Sequence, residues 1–231
     1  MSHRLIRRLA MVNMGTAAAF VLATPKLLRL GATTEEARRP LPGDDEVPDA
    51  HIQGTRATTI GAPPDKVWPW LAQIGYHGYD RAGWYALDRA DNDGVESAWE
   101  VIPEFQHPQI GQVVGEEGST IRAIEPNRLL LLLSYHWPKT QWVLKQGLWP
   151  KFGHCSWAFV LEPLEGGRTR LIVRDRMRYA PLDLSVPFWP FFFVADLIVQ
   201  PTMLRGIKRR VETPARRTDG STGAIPERSG G

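Results

Sequence analysis

The sequence predicts an α+β fold in which antiparallel strands are flanked by helices. Three observations support it: a strand-then-helix pattern at 55–75, a β-hairpin pattern at 153–179, and a long helical pattern at 188–211. The 231 residues have the hydrophobic (43%) and charged (23%) content of an ordinary globular protein, which excludes a collagen, a coiled coil and wholesale disorder. We expect one folded domain over residues 50–212.

The domain opens with a strand followed by a helix. Residues 55–60 are rich in β-branched side chains and alternate in polarity, which is typical of a strand. The prolines at 63–64 suit a first helical turn, and Gly75 suits the helix end. Pro69 is expected to bend or split the helix. One face of this helix is apolar and carries Val67, Trp70, Leu71 and Ile74.

Short strands and a hairpin follow. Residues 111–114 and 120–123 favour short strands, and 129–135 favours a strand whose five successive leucines predict burial on both faces. Residues 153–164 and 168–179 are joined by Glu165-Gly166-Gly167, which is a hairpin pattern.

The two faces of the last strand differ in chemistry. Asp175 shares a face with Leu171, Val173 and Met177, which we place toward the domain interior. The opposite face carries Arg174, Arg176 and Arg178. We expect this face to be wet, because three arginines need water or partners.

Residues 188–211 predict a long C-terminal helix that bends near Pro201 and ends in basic residues, which suit the helix dipole. A curved sheet that grips such a helix leaves a cavity between sheet and helix, and such cavities favour apolar ligands.

The flanking segments have different compositions. Residues 1–30 contain arginines and then an apolar run, so the alternatives are an export signal, an amphipathic membrane anchor, and a helix packed on the domain. Residues 31–49 are rich in proline and charge and predict a linker, and 213–231 predict a disordered tail. We expect a cytoplasmic protein, with membrane association through the first segment and export as the alternatives.

Composition also excludes several function classes. A single cysteine, Cys155, excludes a disulfide framework and a multi-thiolate zinc site. The net charge of +3 lies mostly at the chain ends, so a nucleic-acid groove is not indicated. We expect no metal and no cofactor.

Several segments resemble one protein superfamily. Residues 62–71 (APPDKVWPWL) with Gln73-Ile74-Gly75 resemble the first strand and helix of the SRPBCC superfamily, the START-like or polyketide cyclase/dehydrase-like helix-grip proteins. Gly83-Trp84-Tyr85, residues 103–106 (PEFQ) and residues 203–210 (MLRGIKRR) are similar to one little-characterised bacterial branch. The resemblance covers 55–212 and implies a curved antiparallel sheet wrapped around a long C-terminal helix, with a hydrophobic pocket. It does not fix an activity, because this fold hosts both carriers and enzymes.

Several acidic residues lie close together in the sequence between residues 88 and 104. Asp91, Asp93 and Glu100 partly match a calcium loop, but Arg89 occupies the first ligand position, so a solvated loop is favoured over a cation site. Six histidines form no zinc-enzyme spacing.

We expect the domain to bind or transport a small hydrophobic or lipid-like ligand in its interior. The alternative that the resemblance implies is a cyclase or dehydratase acting on a polyketide-like or other apolar carbonyl substrate, and a third is a membrane-tethered partner-binding module. The partners expected are therefore a small hydrophobic ligand and a membrane surface, with no nucleic acid. The candidate catalytic residues are Asp175, Asp88, His107 and Tyr135. The candidate ligand-binding residues are Trp70, Trp84, Tyr85, Tyr135, Trp157, Phe159, Val173 and Leu197.

Overall fold

The computed structural model of the chain describes residues 26–75, 83–87, 96–114, 119–134, 152–179 and 189–213. The first segment was predicted over residues 1–30, and its residues 1–25 lie outside the described residues, as does the predicted tail after residue 213.

The described strands form one six-stranded antiparallel sheet. In chain order the elements are helix α1 (Thr34–Arg38), strand β1 (Ile52–Ile60), helix α2 (Pro64–Ala72), a 3-10 helix (Pro103–Phe105), strands β2 (Val113–Val114), β3 (Ser119–Glu125), β4 (Leu129–Ser134), β5 (Phe152–Leu164) and β6 (Arg168–Tyr179), and helix α3 (Trp189–Glu212). The strand order across the sheet is β1-β6-β5-β4-β3-β2. With the long helix α3 against this curved sheet, the predicted α+β helix-grip fold is confirmed.

The predicted elements are present close to their expected positions. The β5–β6 hairpin turns at residues 165–167, and the leucines of β4 are buried on both faces of the sheet. Helix α2 continues through Pro69 and helix α3 continues through Pro201, so neither proline splits its helix. No helix in the described part of the chain is long and apolar enough to cross a bilayer.

The inner face of the sheet packs against α2 and α3. Met203, Leu204 and Ile207 of α3 lie in one buried cluster with Val67 and Leu71 of α2. The same cluster contains inner-face residues from five strands, namely Ile60, Ile121, Leu130, Leu132, Phe159, Leu161, Leu171 and Val173. Burial of these apolar side chains is what holds the helices to the sheet.

Residues 28–49, here called the N-terminal strap, cover the edge of the sheet at β1 and its outer face. The backbone N–H groups of Thr55 and Ala57, on the free edge of β1, donate to the carbonyls of Leu28 and Leu30. Gly31 has φ +75, and a Cβ there would lie 2.1 Å from the carbonyl oxygen of Ala57. Only glycine therefore allows this approach. The strap hides an edge that could otherwise pair with another chain.

The strap also supplies the second apolar layer. Leu41 packs on the outer face of the sheet in a separate buried cluster with Ala57, Leu129, Leu131, Ala158, Val160 and Ile172. The segment that composition indicated as a linker thus lies against the domain for much of its length.

The outer-face arginines have protein partners, and the expectation of a wet face is wrong for Arg174. Its side chain is 2% exposed. It donates to the side chains of Thr55 and Asp44 and to the carbonyls of Glu36 and Arg39, at 2.7–3.0 Å. Because the last two carbonyls lie at the end of α1, Arg174 ties that helix to the sheet.

Arg170 forms the other main contact with the strap. It donates to both carboxylate oxygens of Glu36, at 2.7 and 2.8 Å, and to the carbonyl of Gly31. The hydrogen bond from Arg170 is the largest cause that lowers the pKa of Glu36, to about 2 from an ordinary 4.5. A lowered carboxyl pKa stabilises the folded state above pH 4.5, and this contribution is lost as the pH falls toward 2.

We predict that Glu36→Gln lowers the free energy of unfolding by about 1–2 kcal/mol at pH 7, after allowance for solvent screening. The deficit should shrink as the pH falls from 4.5 to 2, because the wild-type carboxylate is then protonated too. Urea unfolding followed by tryptophan fluorescence across this range measures it. Glu35→Gln, in the same helical turn but exposed, is the control. A deficit at pH 2 as large as at pH 7 would contradict the role of the charge.

Candidate functional site

A buried ion pair lies on the inner face of the sheet. Nη1 of Arg56 on β1 is 2.7 Å from Oδ1 of Asp175 on β6, and the two side chains are 0% and 2% exposed. Register explains the contact, because Arg56 lies opposite Val173 and Asp175 is two positions further along β6. Alternation along both strands then directs the two side chains to the same face.

Gly54 makes room for this pair. It lies directly opposite Asp175 in the β1–β6 register. A Cβ at Gly54 would lie 2.5 Å from both Nη1 of Arg56 and Oδ1 of Asp175, closer than real Cβ atoms come. A glycine inside a strand often marks such a close approach, and this was the sequence signal that could have located the pair.

Three polar atoms on the inner face have hydrogen-bonding capacity that the described part of the chain does not use. They are Oδ2 of Asp175, Nε1 of Trp157 and Oγ of Ser134, and all three are buried without a hydrogen-bond partner. Trp157 on β5 lies directly opposite Asp175, and Ser134 on β4 lies opposite Cys155, two positions before Trp157. Strand alternation therefore places the three side chains at one end of the inner face, where with Arg56 they form the inner polar cluster.

Two aromatic rings pack against Trp157 of the inner polar cluster. The ring of Trp157 stacks on Trp84, with centroids 5.2 Å apart and planes at 25°, and its centroid is 5.0 Å from that of Phe159. Trp84 in turn lies on Gly75, where a Cβ would come within 2.7 Å of the indole. The polar atoms of the cluster are thus next to stacked, largely apolar rings.

Helix α3 holds the neighbouring segment 83–87 in place. The guanidinium of Arg210 lies 4.7 Å from the ring centroid of Tyr85 and 4.4 Å from that of Trp99, which are cation–π distances. Arg210 also donates to the carbonyls of Ser97 and Ala98. Burial raises the pKa of Tyr85, so its hydroxyl is neutral at physiological pH.

The structure brings together most of the predicted ligand-binding residues. Trp70, Trp84, Tyr85, Phe159 and Val173 belong to one buried cluster, and Trp157, which is half-buried, packs against it. Leu197 is half-buried on α3 and is not part of this cluster. Phe159 and Val173 are fully buried, so in this conformation they serve as core residues.

Two of the four candidate catalytic residues are described, and they lie in different surroundings. Asp175 belongs to the inner polar cluster, whereas His107 is exposed beside an open depression of about 300 Å³ lined by His107, Gln109, Ile110 and Gln112. Asp88 and Tyr135 lie outside the described residues. Arg56, Gly54 and Ser134 were not among the sequence candidates. Within the described residues, no three or more His, Cys, Asp or Glu side chains group so as to hold a metal ion.

The inner polar cluster offers hydrogen-bond donors and acceptors to a polar group. The carboxylate of Asp175 is engaged by a guanidinium, so its remaining oxygen is a strong hydrogen-bond acceptor. Nε1 of Trp157 can only donate, and the Ser134 hydroxyl can do both.

Comparisons with known proteins find similarity among solved structures only. No family model matches the chain, and no curated protein matches it. One similar structure is the Zhui aromatase/cyclase from Streptomyces sp. R1128, at 17% identity and TM-score 0.42, covering 73% of this chain and 98% of that one. The Polyketide_cyc-like protein Cgl2372 from Corynebacterium glutamicum has 17% identity and TM-score 0.39, with 69% and 91% covered.

The allergen Ara h 8.0201 is similar at 16% identity and TM-score 0.41, with 69% and 97% covered. Identity is below 25% and each TM-score is below 0.5, so these similarities assign no activity to the chain, and the fold follows from the sheet order and the position of α3.

We predict that Arg56→Met lowers the free energy of unfolding by about 3–5 kcal/mol, because it leaves Asp175 as a buried charge without its guanidinium. The double variant Arg56→Met/Asp175→Leu should recover most of this loss, since an apolar pair of similar size needs no charge compensation. Urea unfolding measures both.

The matched control is Arg39→Met, which breaks an ion pair with Glu162 whose side chains are each 36% exposed. Such an exposed ion pair contributes at most about 1 kcal/mol to the free energy of unfolding. A double variant as unstable as Arg56→Met would show that the buried pair does not act as a unit.

Proposed function

We propose that the chain binds a small apolar ligand beside the inner polar cluster, with the face of Trp157 that Trp84 covers in this conformation as the main apolar contact. The observation that carries this proposal is the set of three buried polar atoms without partners among aromatic side chains.

The physical reason is the cost of leaving such atoms unsatisfied. A buried donor or acceptor without a partner costs about 1–3 kcal/mol. A ligand that supplies partners recovers part of this cost, and it gains about 25 cal/mol for each Å² of apolar surface that it buries. Affinity would come from the rings, and orientation from the polar atoms.

Binding is favoured over a cyclase or dehydratase reaction. Such a reaction needs an acid or base within reach of the substrate and a second group to exchange the proton. Of the proposed catalytic residues described, Asp175 is engaged with Arg56, and His107 lies at an exposed loop. The cluster is thus better suited to hydrogen-bonding a ligand than to exchanging a proton with a substrate.

Entry of a ligand requires side-chain movement. The polar atoms of the cluster are covered in the present conformation, and Trp84 lies on the face of Trp157. A ligand that displaces Trp84 would restore a stacked contact with Trp157, so the exchange conserves aromatic packing.

We predict that the neutral probe N-phenyl-1-naphthylamine binds the purified chain saturably at one site, with a rise in probe fluorescence. Trp157→Leu should weaken this binding by about tenfold or more, because it removes the stacking face and one ring contact of this kind contributes about 0.5–1.5 kcal/mol beyond its buried area. Fluorescence titration measures the dissociation constant.

Trp99→Leu is the matched control, because Trp99 is also half-buried but lies at Arg210 rather than in the cluster. Circular dichroism checks that both variants are folded. Equal weakening in the two variants, or no saturable binding to the wild-type chain, would contradict the proposed site.

A further inference from the structure

We infer that the inner polar cluster selects a neutral ligand group that both donates and accepts a hydrogen bond, such as a hydroxyl or a primary amide, carried on a flat ring system. This inference rests on the proposed function and specifies the ligand chemistry of the same site.

The first step concerns which hydrogen-bonding positions remain. Oδ1 of Asp175 accepts from Nη1 of Arg56, at 2.7 Å, which leaves Oδ2 as an acceptor that needs a donor. Nε1 of Trp157 is a donor that needs an acceptor. A ligand must therefore provide both kinds of partner.

The second step concerns spacing. Trp157 and Asp175 are directly opposed residues on adjacent strands, and side chains at such positions start about 4.5–5.5 Å apart at Cβ. One small group can thus contact both side chains. A hydroxyl satisfies both at once, because it can donate to Oδ2 and accept from Nε1, whereas an ether can only accept.

The third step concerns charge. Arg56 and Asp175 together carry no net charge, and both side chains are at most 2% exposed. An anionic ligand group would lie beside the carboxylate oxygen of Asp175, and a cationic group would add a second positive charge near Arg56. Either would bury a charge without compensation, which is costly, so a neutral group is preferred.

The fourth step concerns shape. Trp84 covers Trp157 with a nearly parallel indole, at 25°. A ligand that takes the place of this indole needs a flat surface of about two fused rings to regain the same contact.

The test compares four probes that share a two-ring scaffold: 2-naphthol, 2-methoxynaphthalene, naphthalene and 2-naphthoate. The hydroxyl of 2-naphthol can donate and accept a hydrogen bond, and the ether of 2-methoxynaphthalene can only accept one. Naphthalene has no hydrogen-bonding group, and the carboxylate of 2-naphthoate is a charged acceptor. Isothermal titration calorimetry of the full chain at pH 7 measures each dissociation constant. We expect 2-naphthol to bind about tenfold more tightly than each of the other three, since each of those leaves at least one buried polar atom unsatisfied.

Two variants separate hydrogen bonding from stacking. Trp157→Phe keeps a ring but removes the N–H donor. It should therefore raise the dissociation constant of 2-naphthol about tenfold while changing that of naphthalene by less than twofold. Trp84→Phe makes the same substitution in the other half of the stack. It should change the affinity for all four probes by a similar factor.

The outcomes separate the two proposals. If all four probes bind within twofold of one another, or if 2-naphthoate binds most tightly, the inference is overturned and the apolar site remains. If none of the probes binds, the proposed function and the inference both fail. If Trp157→Phe lowers the affinity for naphthalene as much as the affinity for 2-naphthol, the ligand does not use the hydrogen bond from Nε1 and the inference is overturned.

Discussion

The fold depends on how one strand carries charge on both of its faces. Strand β6 places Asp175 on the inner face and Arg174 on the outer face, and both side chains are buried. A buried charge is tolerated only with a partner, because removal from water costs several kcal/mol. Two other parts of the chain meet this requirement. Arg56 on β1 partners Asp175, and the N-terminal strap supplies acceptors to Arg174.

This arrangement gives the two faces of the sheet different roles. On the outer face, Arg174 donates three hydrogen bonds to the strap and one to Thr55 of β1, so most of its donors bind the strap. On the inner face, Asp175 uses one oxygen with Arg56, and the other has no partner among the described residues. The buried outer-face arginine is therefore used in structural contacts, whereas the buried inner-face carboxylate keeps one oxygen without a partner among the described residues.

Local patterns in the sequence predicted the elements well. The Gly166-Gly167 turn, the five leucines and the 188–211 helix each depend on neighbouring residues, and the strand and helix bounds match within a few positions.

The partners of the charged residues could not be predicted in this way. Arg56 and Asp175 are 119 positions apart, and the contacts of Arg174 with the strap span 130 or more. The sequence placed Asp175 toward the domain interior, but only the register of β1 and β6 identifies Arg56 as its partner. Composition alone favoured a linker at residues 31–49, because a high content of proline and charged residues is typical of a free linker and is also found in this strap, which packs on the domain.

The central claim is that a bound ligand accepts a hydrogen bond from Nε1 of Trp157. A ¹⁵N-resolved NMR spectrum of the indole N–H groups observes that atom directly, and the spectrum of Trp157→Phe assigns its signal among those of the nine tryptophans. Saturation with 2-naphthol should move the Trp157 indole proton downfield, as a new hydrogen bond requires, whereas naphthalene should not produce this shift. Saturable binding of 2-naphthol with an unchanged Trp157 indole signal would contradict the account.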